Sequence, residues 1–397
     1  MNLRMTQTFV TILLGMLLGI QPIATDLYLS ALPSIQTNFH ASIGQTQLTL
    51  SALLLAFGSA QLVLGPLSDR FGRRPVLLWG VGFFTAASML TALAQSIEWL
   101  IAARIVQGAA MGAAVMSGRA ITRDLFEPER AAIVMSKAFT GLGVTALCAS
   151  LFGSLLTEFA GWRYTVSGMA VFGAALWLMI YKGYAETLQT PNPRAMQLGS
   201  LYRNIVAIGS HTGFRVYSFI SITSYCALFS FLAGSPFVLM TVLGLSKLQF
   251  GFCLMLMPLF YISGTIYCRR LLRRYGLQAA VQRAAWMILL AGAAMSGLAL
   301  AGLQQLWSVM VPFYLFIFAH GVMQTCGQSG AVAHFPHMAG TAAALNGFLM
   351  MIFAFVTGLW IGTQLDGTVL GMTNSMGFWC LLLSATAWFL VPKFGKV

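Results

Sequence analysis

Apolar residues run for about twenty positions at a time along this chain, and each run stops at a short polar or charged cluster. A helix needs roughly 20 mostly apolar residues to cross a bilayer. The pattern therefore predicts an all-α membrane protein of about twelve transmembrane helices, over 8–31, 45–66, 76–95, 98–121, 132–155, 162–184, 213–237, 247–268, 280–303, 306–329, 340–364 and 374–392. The one sizeable polar interruption, 185–210, carries Pro191, Pro193, Arg194 and Arg203. It reads as a linker between a six-helix bundle over 1–184 and another over 211–397.

Composition agrees with the pattern. Of 397 residues 58% are hydrophobic and 8% charged, against about a quarter charged in ordinary soluble domains. Met1-Asn2-Leu3-Arg4 and the apolar run that follows read as the start of the first span. A cleaved signal peptide fits less well, because no small-x-small site ends the apolar core before Asp26.

The surplus of 22 Lys and Arg over 9 Asp and Glu gives a formal charge of +13, and its placement decides what it means. Arg4, then Arg70, Arg73 and Arg74, then Arg123 and Arg130, then Arg194 and Arg203 gather on one side, followed by Arg269, Arg270, Arg273 and Arg274, and by Lys393 and Lys396. The other side holds little beyond Glu98, Glu158, Arg163, Lys247 and Asp366. By the positive-inside rule the basic loops and both termini face the cytoplasm. The surplus is topogenic, and no nucleic-acid partner is expected.

The halves look like distant copies. Ala31-Leu32-Pro33 ends the first span and Gly234-Ser235-Pro236 the seventh, while Arg70-Phe71-Gly72 follows the second span and Arg274-Tyr275-Gly276 the eighth. Both pairs are about half a chain apart, which suggests two parallel six-helix repeats.

The segment Gly65-Pro66-Leu67-Ser68-Asp69-Arg70-Phe71-Gly72-Arg73-Arg74-Pro75 has a readable logic. Gly65-Pro66 closes one helix, Gly72 permits a tight turn, and Pro75 suits the first turn of the next helix. Asp69 stands where a carboxylate meets helix N–H groups or arginines, and the arginines hold the loop at the membrane face. A topogenic turn with a capping acid would account for most of this. The segment also resembles the signature loop of the major facilitator superfamily, which implies a substrate site between the halves near the bilayer midplane. The same resemblance implies a gate at Gly65, Asp69, Arg70, Gly72, Arg73 and Arg74 that latches the halves on the cytoplasmic side. Thr25-Asp26-Leu27-Tyr28-Leu29-Ser30-Ala31-Leu32-Pro33, Arg104-Ile105-Val106-Gln107-Gly108, Gly161-Trp162-Arg163, Ser235-Pro236-Phe237 and Gly340-Thr341-Ala342-Ala343-Ala344 narrow it. They resemble the bicyclomycin-resistance (Bcr/CflA) branch of drug:proton antiporters, whose members are driven by the proton gradient without a cofactor.

Asp26 is the one acid placed well inside an apolar run. A charge at the bilayer centre costs about 3 kcal/mol or more, so such an acid is a functional candidate by default. A carboxyl there could carry protons between compartments; a capping or wetted position near the outer end is the plainer alternative. The resemblance implies that protonation of Asp26 is linked to substrate release. Arg104 lies at a matching depth in the fourth span, with Gln107, Gly108 and Met111 on the same face. Asp26 is its expected partner if spans one and four are neighbours; otherwise Arg104 would snorkel to the interface. Arg119, with Arg123 and Asp124, lies toward the cytoplasmic end, where anchoring competes with a gate role.

The branch shows a glycine-rich fifth span with Gly-Pro in its outer half, whereas here Ser150 stands where proline is expected, which loosens the inference of antiport. Aromatic residues (12%) and the 22 methionines read mainly as lipid-facing and packing groups, with Tyr28, Tyr225, Phe229 and Phe231 as candidates to line an apolar substrate cavity. The histidines lack metal-ligand spacing. Cys148, Cys226, Cys253, Cys268, Cys326 and Cys380 lack a C-x-x-C pair and read as small buried hydrophobes. The expectation is a monomeric carrier in the bacterial inner membrane whose partners are lipid, protons and a small amphipathic molecule. One dedicated metabolite is the alternative within transport. A membrane-embedded enzyme or a sensor is the alternative outside it, and the dispersed acids argue against the enzyme.

Overall fold

The computed structural model describes residues 6–190 and 198–395. Arg4, Lys396, Pro191, Pro193 and Arg194 lie outside the described residues, which are helical apart from short connections. In chain order the helices are α1 (Gln7–Leu29), α2 (Leu32–Phe39), α3 (Ile43–Phe71), α4 (Arg73–Ala92), α5 (Ile97–Leu125), α6 (Pro128–Phe159) and α7 (Trp162–Gly183). There follow α8 (Leu198–Ser210), α9 (Thr212–Ser235), α10 (Lys247–Met255), α11 (Met257–Leu300), α12 (Leu306–Ala333), α13 (Ala339–Gln364), α14 (Leu370–Ala385) and α15 (Val391–Phe394). The seventh span runs past its expected end, since α9 widens at Pro236 into a π-helical segment, Pro236–Val242.

Eleven stretches are long and apolar enough to cross a membrane, and one of them, Lys247–Leu300, has 54 residues. At 1.5 Å per residue that is roughly 81 Å, more than twice a bilayer's hydrocarbon core. The stretch is two crossings. Its backbone leaves the helical region at Gly276 (φ 76°, ψ 179°), between the expected spans 247–268 and 280–303. Its first arm runs parallel to α12, with the Tyr314 hydroxyl donating to the Cys253 carbonyl at 2.9 Å and Cys268 beside Cys326. Its second arm reaches the start of α12 through a short turn, so it runs the opposite way.

The chain separates into two compact units, Met1–Ala41 with Leu48–Leu198, and Ser42–Gln47 with Gly199–Val397. In the first unit α1 and α6 run parallel, Gly15 opposite Gly141 and Gly19 opposite Thr145. α3 and α5 are also parallel, and Gly108 lets them touch: a Cβ there would sit 2.1 Å from the Leu53 carbonyl oxygen. α5 runs antiparallel to α1, through the Arg104 side chain donating to the Ala24 carbonyl and Gly118 near Leu17. The second unit repeats the pattern, the first arm of α11 lying parallel to α12 and its second arm antiparallel to α14.

The segment 185–210, expected as a plain linker, carries the helix α8 over Leu198–Ser210. In α8 Ile208 is buried and Ile205, three residues before it, half-buried, while Arg203 is exposed; residues three apart share a helix face, and covering that face stabilises helix where composition alone suggested a tether.

Candidate functional site

Asp26 lies three residues before the end of α1 and is only 8% exposed. The Thr25 hydroxyl donates to its Oδ1 at 2.8 Å. Arg104, on α5, is completely buried. Its Nε donates to the Thr49 carbonyl (3.2 Å), one terminal nitrogen to Gln107 Oε1 (2.6 Å) and the other to the Ala24 carbonyl (2.8 Å). The guanidinium also covers the Tyr28 ring, 4.1 Å from its centroid. Gln107 passes the network on, its amide donating to Ser88 Oγ at 2.7 Å.

The expected pairing of Arg104 with Asp26 does not form within 4 Å. Helix geometry gives the reason. Ala24 and Tyr28, four residues apart, share the face of α1 toward Arg104, whereas Asp26 is about 200° round the helix from Ala24. Backbone dipoles, an amide and an aromatic face hold the buried cation, and the carboxyl stands on the opposite side. Tyr28, expected as a cavity-lining residue, is fully buried instead: its ring carries Arg104, and its hydroxyl donates to Thr49 Oγ1 at 2.8 Å.

The second cluster lies at the end of the first unit where α3 gives way to α4. Gly72 adopts φ 100°, a conformation that costs any other L-residue. The Arg73 guanidinium is pinned by Asp69 (2.5 Å), Asp124 (2.9 Å) and Ser68 Oγ (2.6 Å). Asp69 and Asp124 thus join the loop to the end of α5. Arg74 donates to the Tyr181 carbonyl at 3.0 Å, while Gly65 lies against Met116. Arg70 lies in the last turn of α3, with its guanidinium 5.2 Å from the Phe71 ring centroid. Arg119, half-buried one turn and a half before Leu125, makes no hydrogen bond or ion pair among the described residues.

Sequence reasoning missed the residue that organises this corner. Glu186, in the extended segment after α7, accepts the Arg73 and Thr187 backbone N–H groups and that of Leu188 on Oε1 (3.0, 2.9 and 2.9 Å), and the Arg74 N–H on Oε2 (2.9 Å). A carboxylate at the amino end of α4 complements the helix dipole, and Gly72 has no side chain to cap with. The only clue in sequence is an acid among polar residues just after the sixth span. Beside it the Thr187 hydroxyl donates to Asp124 at 3.4 Å and so accepts from the Tyr184 hydroxyl at 2.8 Å. Burial pushes the Tyr184 phenol up, which keeps it a neutral donor.

In the second unit Phe231 stacks on Phe313 with ring centroids 3.4 Å apart, Phe229 is buried, and Tyr225 is half-buried. His320, buried on α12, meets Ser224 Oγ at 2.7 Å. Cys268 and Cys326 lie 3.6 Å apart, sulfur to sulfur, a neighbourhood that sequence spacing does not reveal. Ser150 is buried in an unbroken α6, its hydroxyl donating to the Ala146 carbonyl at 3.3 Å.

The family model described as "Major Facilitator Superfamily" matches residues 11–359. The chain is 30% identical over 341 residues to multidrug resistance protein D of Escherichia coli strain K12, covering 86% of this chain and 85% of that one. It is 26% identical over 390 residues to a bicyclomycin resistance protein homolog of Haemophilus influenzae, with 97% of each chain covered. Among solved structures, a D-xylose–proton symporter superposes with a TM-score of 0.75 at 16% identity, over 99% of this chain and 100% of that one; this likeness concerns the fold alone.

Proposed function

The chain belongs to the Major Facilitator Superfamily of membrane transporters, and from that premise we propose that it exports small amphipathic molecules in exchange for protons. Membership removes the enzyme alternative. The drug-resistance names of the two relatives support export as the direction. The observation that carries proton coupling is Asp26: a carboxyl inside a membrane-spanning helix, hydrogen-bonded by Thr25, almost buried, and turned away from the nearby cation Arg104. An acid without a permanent counter-ion can be discharged by a proton and recharged when substrate arrives. On this reading the proton enters on Asp26 from outside and leaves when cytoplasmic substrate binds.

Arg104 fixes α1, α3 and α5 to one another and so sets where Asp26 stands. The corner built by Asp69, Arg73, Arg74, Asp124 and Glu186 serves as the cytoplasmic gate, with Arg119 above it. Tyr225, half-buried, is the aromatic group offered to substrate. The protein acts as a monomer in the bacterial inner membrane, with the basic loops and both termini cytoplasmic; it needs no cofactor and binds no nucleic acid.

Proton flux in reconstituted vesicles tests this reading. In acid-inside vesicles an exported compound should alkalinise the lumen, and acidification would rule out antiport. Asp26→Asn should abolish this coupled flux while the protein folds and inserts normally; unchanged coupling in that variant removes Asp26 from the mechanism.

A further inference from the structure

At one end of the second unit, where α8 turns into α9, a cavity of about 600 Å³ opens between Ser210, His211, Thr212, His334, Lys393 and Phe394. Transport as described above makes no use of it. We propose that this cavity binds a phosphate group, presented either by the headgroup of an anionic phospholipid or by a soluble phosphate compound.

The donors converge. His211 is the N-cap of α9, and its Nδ1 accepts the Phe214 N–H at 3.4 Å, so the ring hydrogen of its neutral form sits on Nε2. The Nδ1 of His334 lies 3.2 Å from the Gly330 carbonyl. A carbonyl only accepts, so that nitrogen carries the hydrogen. The two rings are neighbours, with centroids 4.7 Å apart. Ser210 and Thr212 add hydroxyls, Lys393 adds an ammonium, and the first N–H groups of α9 point the positive end of a helix dipole toward the same corner.

Among the described residues of this unit no carboxylate side chain lies beside that positive charge. From residue 199 to the end of the chain Asp366 is the only acidic residue, and it follows the far end of α13, whose 26 residues span roughly 39 Å. That is several times the Debye length at physiological ionic strength. A group of imidazoles, hydroxyls and an ammonium without a carboxylate is complementary to a tetrahedral oxyanion, for which Lys acts as a point charge and the others as directional donors. Phe394 and Ala207 in the lining give the cavity an apolar side that would accept the glycerol end of a lipid; the interior would equally hold a free phosphate.

The test uses the full-length protein in phosphatidylcholine nanodiscs. Inorganic phosphate is titrated against thermal unfolding, and phospholipid retained from mixed phosphatidylglycerol–phosphatidylcholine membranes is measured by mass spectrometry. The pocket variant is His211→Asn with His334→Asn and Lys393→Gln, because Asn replaces each Nδ1 contact and removes Nε2. Lys393→Gln alone serves if the triple variant does not fold, and Lys247→Gln, a cation outside the cavity, is the control. Phosphate that stabilises wild type and the control, with at least tenfold weaker apparent affinity in the pocket variant, assigns a soluble phosphate. Phosphatidylglycerol enriched severalfold on wild type and the control but not on the pocket variant assigns a lipid headgroup. If neither probe distinguishes the pocket variant from wild type, or if Lys247→Gln loses as much, the proposal is overturned.

Discussion

Replacing Glu186 by alanine removes one carboxylate that accepts the first two backbone N–H groups of α4, those of Arg73 and Arg74, at 3.0 and 2.9 Å. Loss of a side-chain cap costs about 0.5–2 kcal/mol, and loss of a negative charge at a helix amino end about 0.3–1 kcal/mol. Glu186 is exposed, and water will take over part of both contributions, so the expected loss is about 1–2 kcal/mol of local stability. Since about 1.4 kcal/mol is a factor of ten, amide hydrogen exchange in a peptide spanning 70–78 should accelerate roughly five- to thirtyfold. A peptide from the middle of α9 should be unchanged. Glu186→Gln keeps one acceptor without the charge and should fall between wild type and alanine. Exchange in the alanine variant within twofold of wild type would refute the assignment of Glu186 as the cap of α4, and with it the view that the segment after α7 is part of the gate corner.

Arg104→Lys keeps the charge but can satisfy only part of a fork that now meets Thr49, Gln107 and Ala24; thermal unfolding should show a loss of about 2–4 kcal/mol, larger than for any exposed arginine on the basic loops. Gly72→Ala forces a side chain into φ 100° and places its Cβ 2.6 Å from Glu186 Oε2. It should cost about 1–2 kcal/mol and reproduce part of the Glu186→Ala exchange pattern, whereas normal exchange would show that the corner relaxes freely. Gly108→Ala brings a Cβ to 2.1 Å from the Leu53 carbonyl oxygen and should destabilise by about 1–3 kcal/mol, read as a lower unfolding temperature; wild-type stability would mean that α3 and α5 can separate without loss.

Length and apolar content made the spans legible, because a bilayer imposes one crossing length on every helix. The same logic divided Lys247–Leu300 into two spans, and the break falls at Gly276, the glycine of the Arg274-Tyr275-Gly276 loop that pairs with Arg70-Phe71-Gly72. At the candidate site the residue types were legible and their pairing was not. Asp26 and Arg104 have matching depth, yet the angle of each around its own helix decides contact, and the 200° between Ala24 and Asp26 separates them. Counting that angle would have found the Tyr28 platform, since Ala24 and Tyr28 are one turn apart. Glu186 was beyond reach: nothing in a polar segment after the sixth span announces that its carboxylate folds back onto backbone N–H groups more than a hundred positions earlier in the chain.

That fold-back has a consequence for biogenesis. The amino end of α4 emerges from the ribosome early, but the group that caps it is made only after α5, α6 and α7 have been synthesised. Until residue 188 is available, the turn at Gly72 has neither its cap nor the hydroxyl bridge from Tyr184 through Thr187 to Asp124. The first bundle therefore cannot finish at its basic end helix by helix as it enters the membrane. It closes in one late step, when the segment leaving the sixth span is laid across the turn between the second and third.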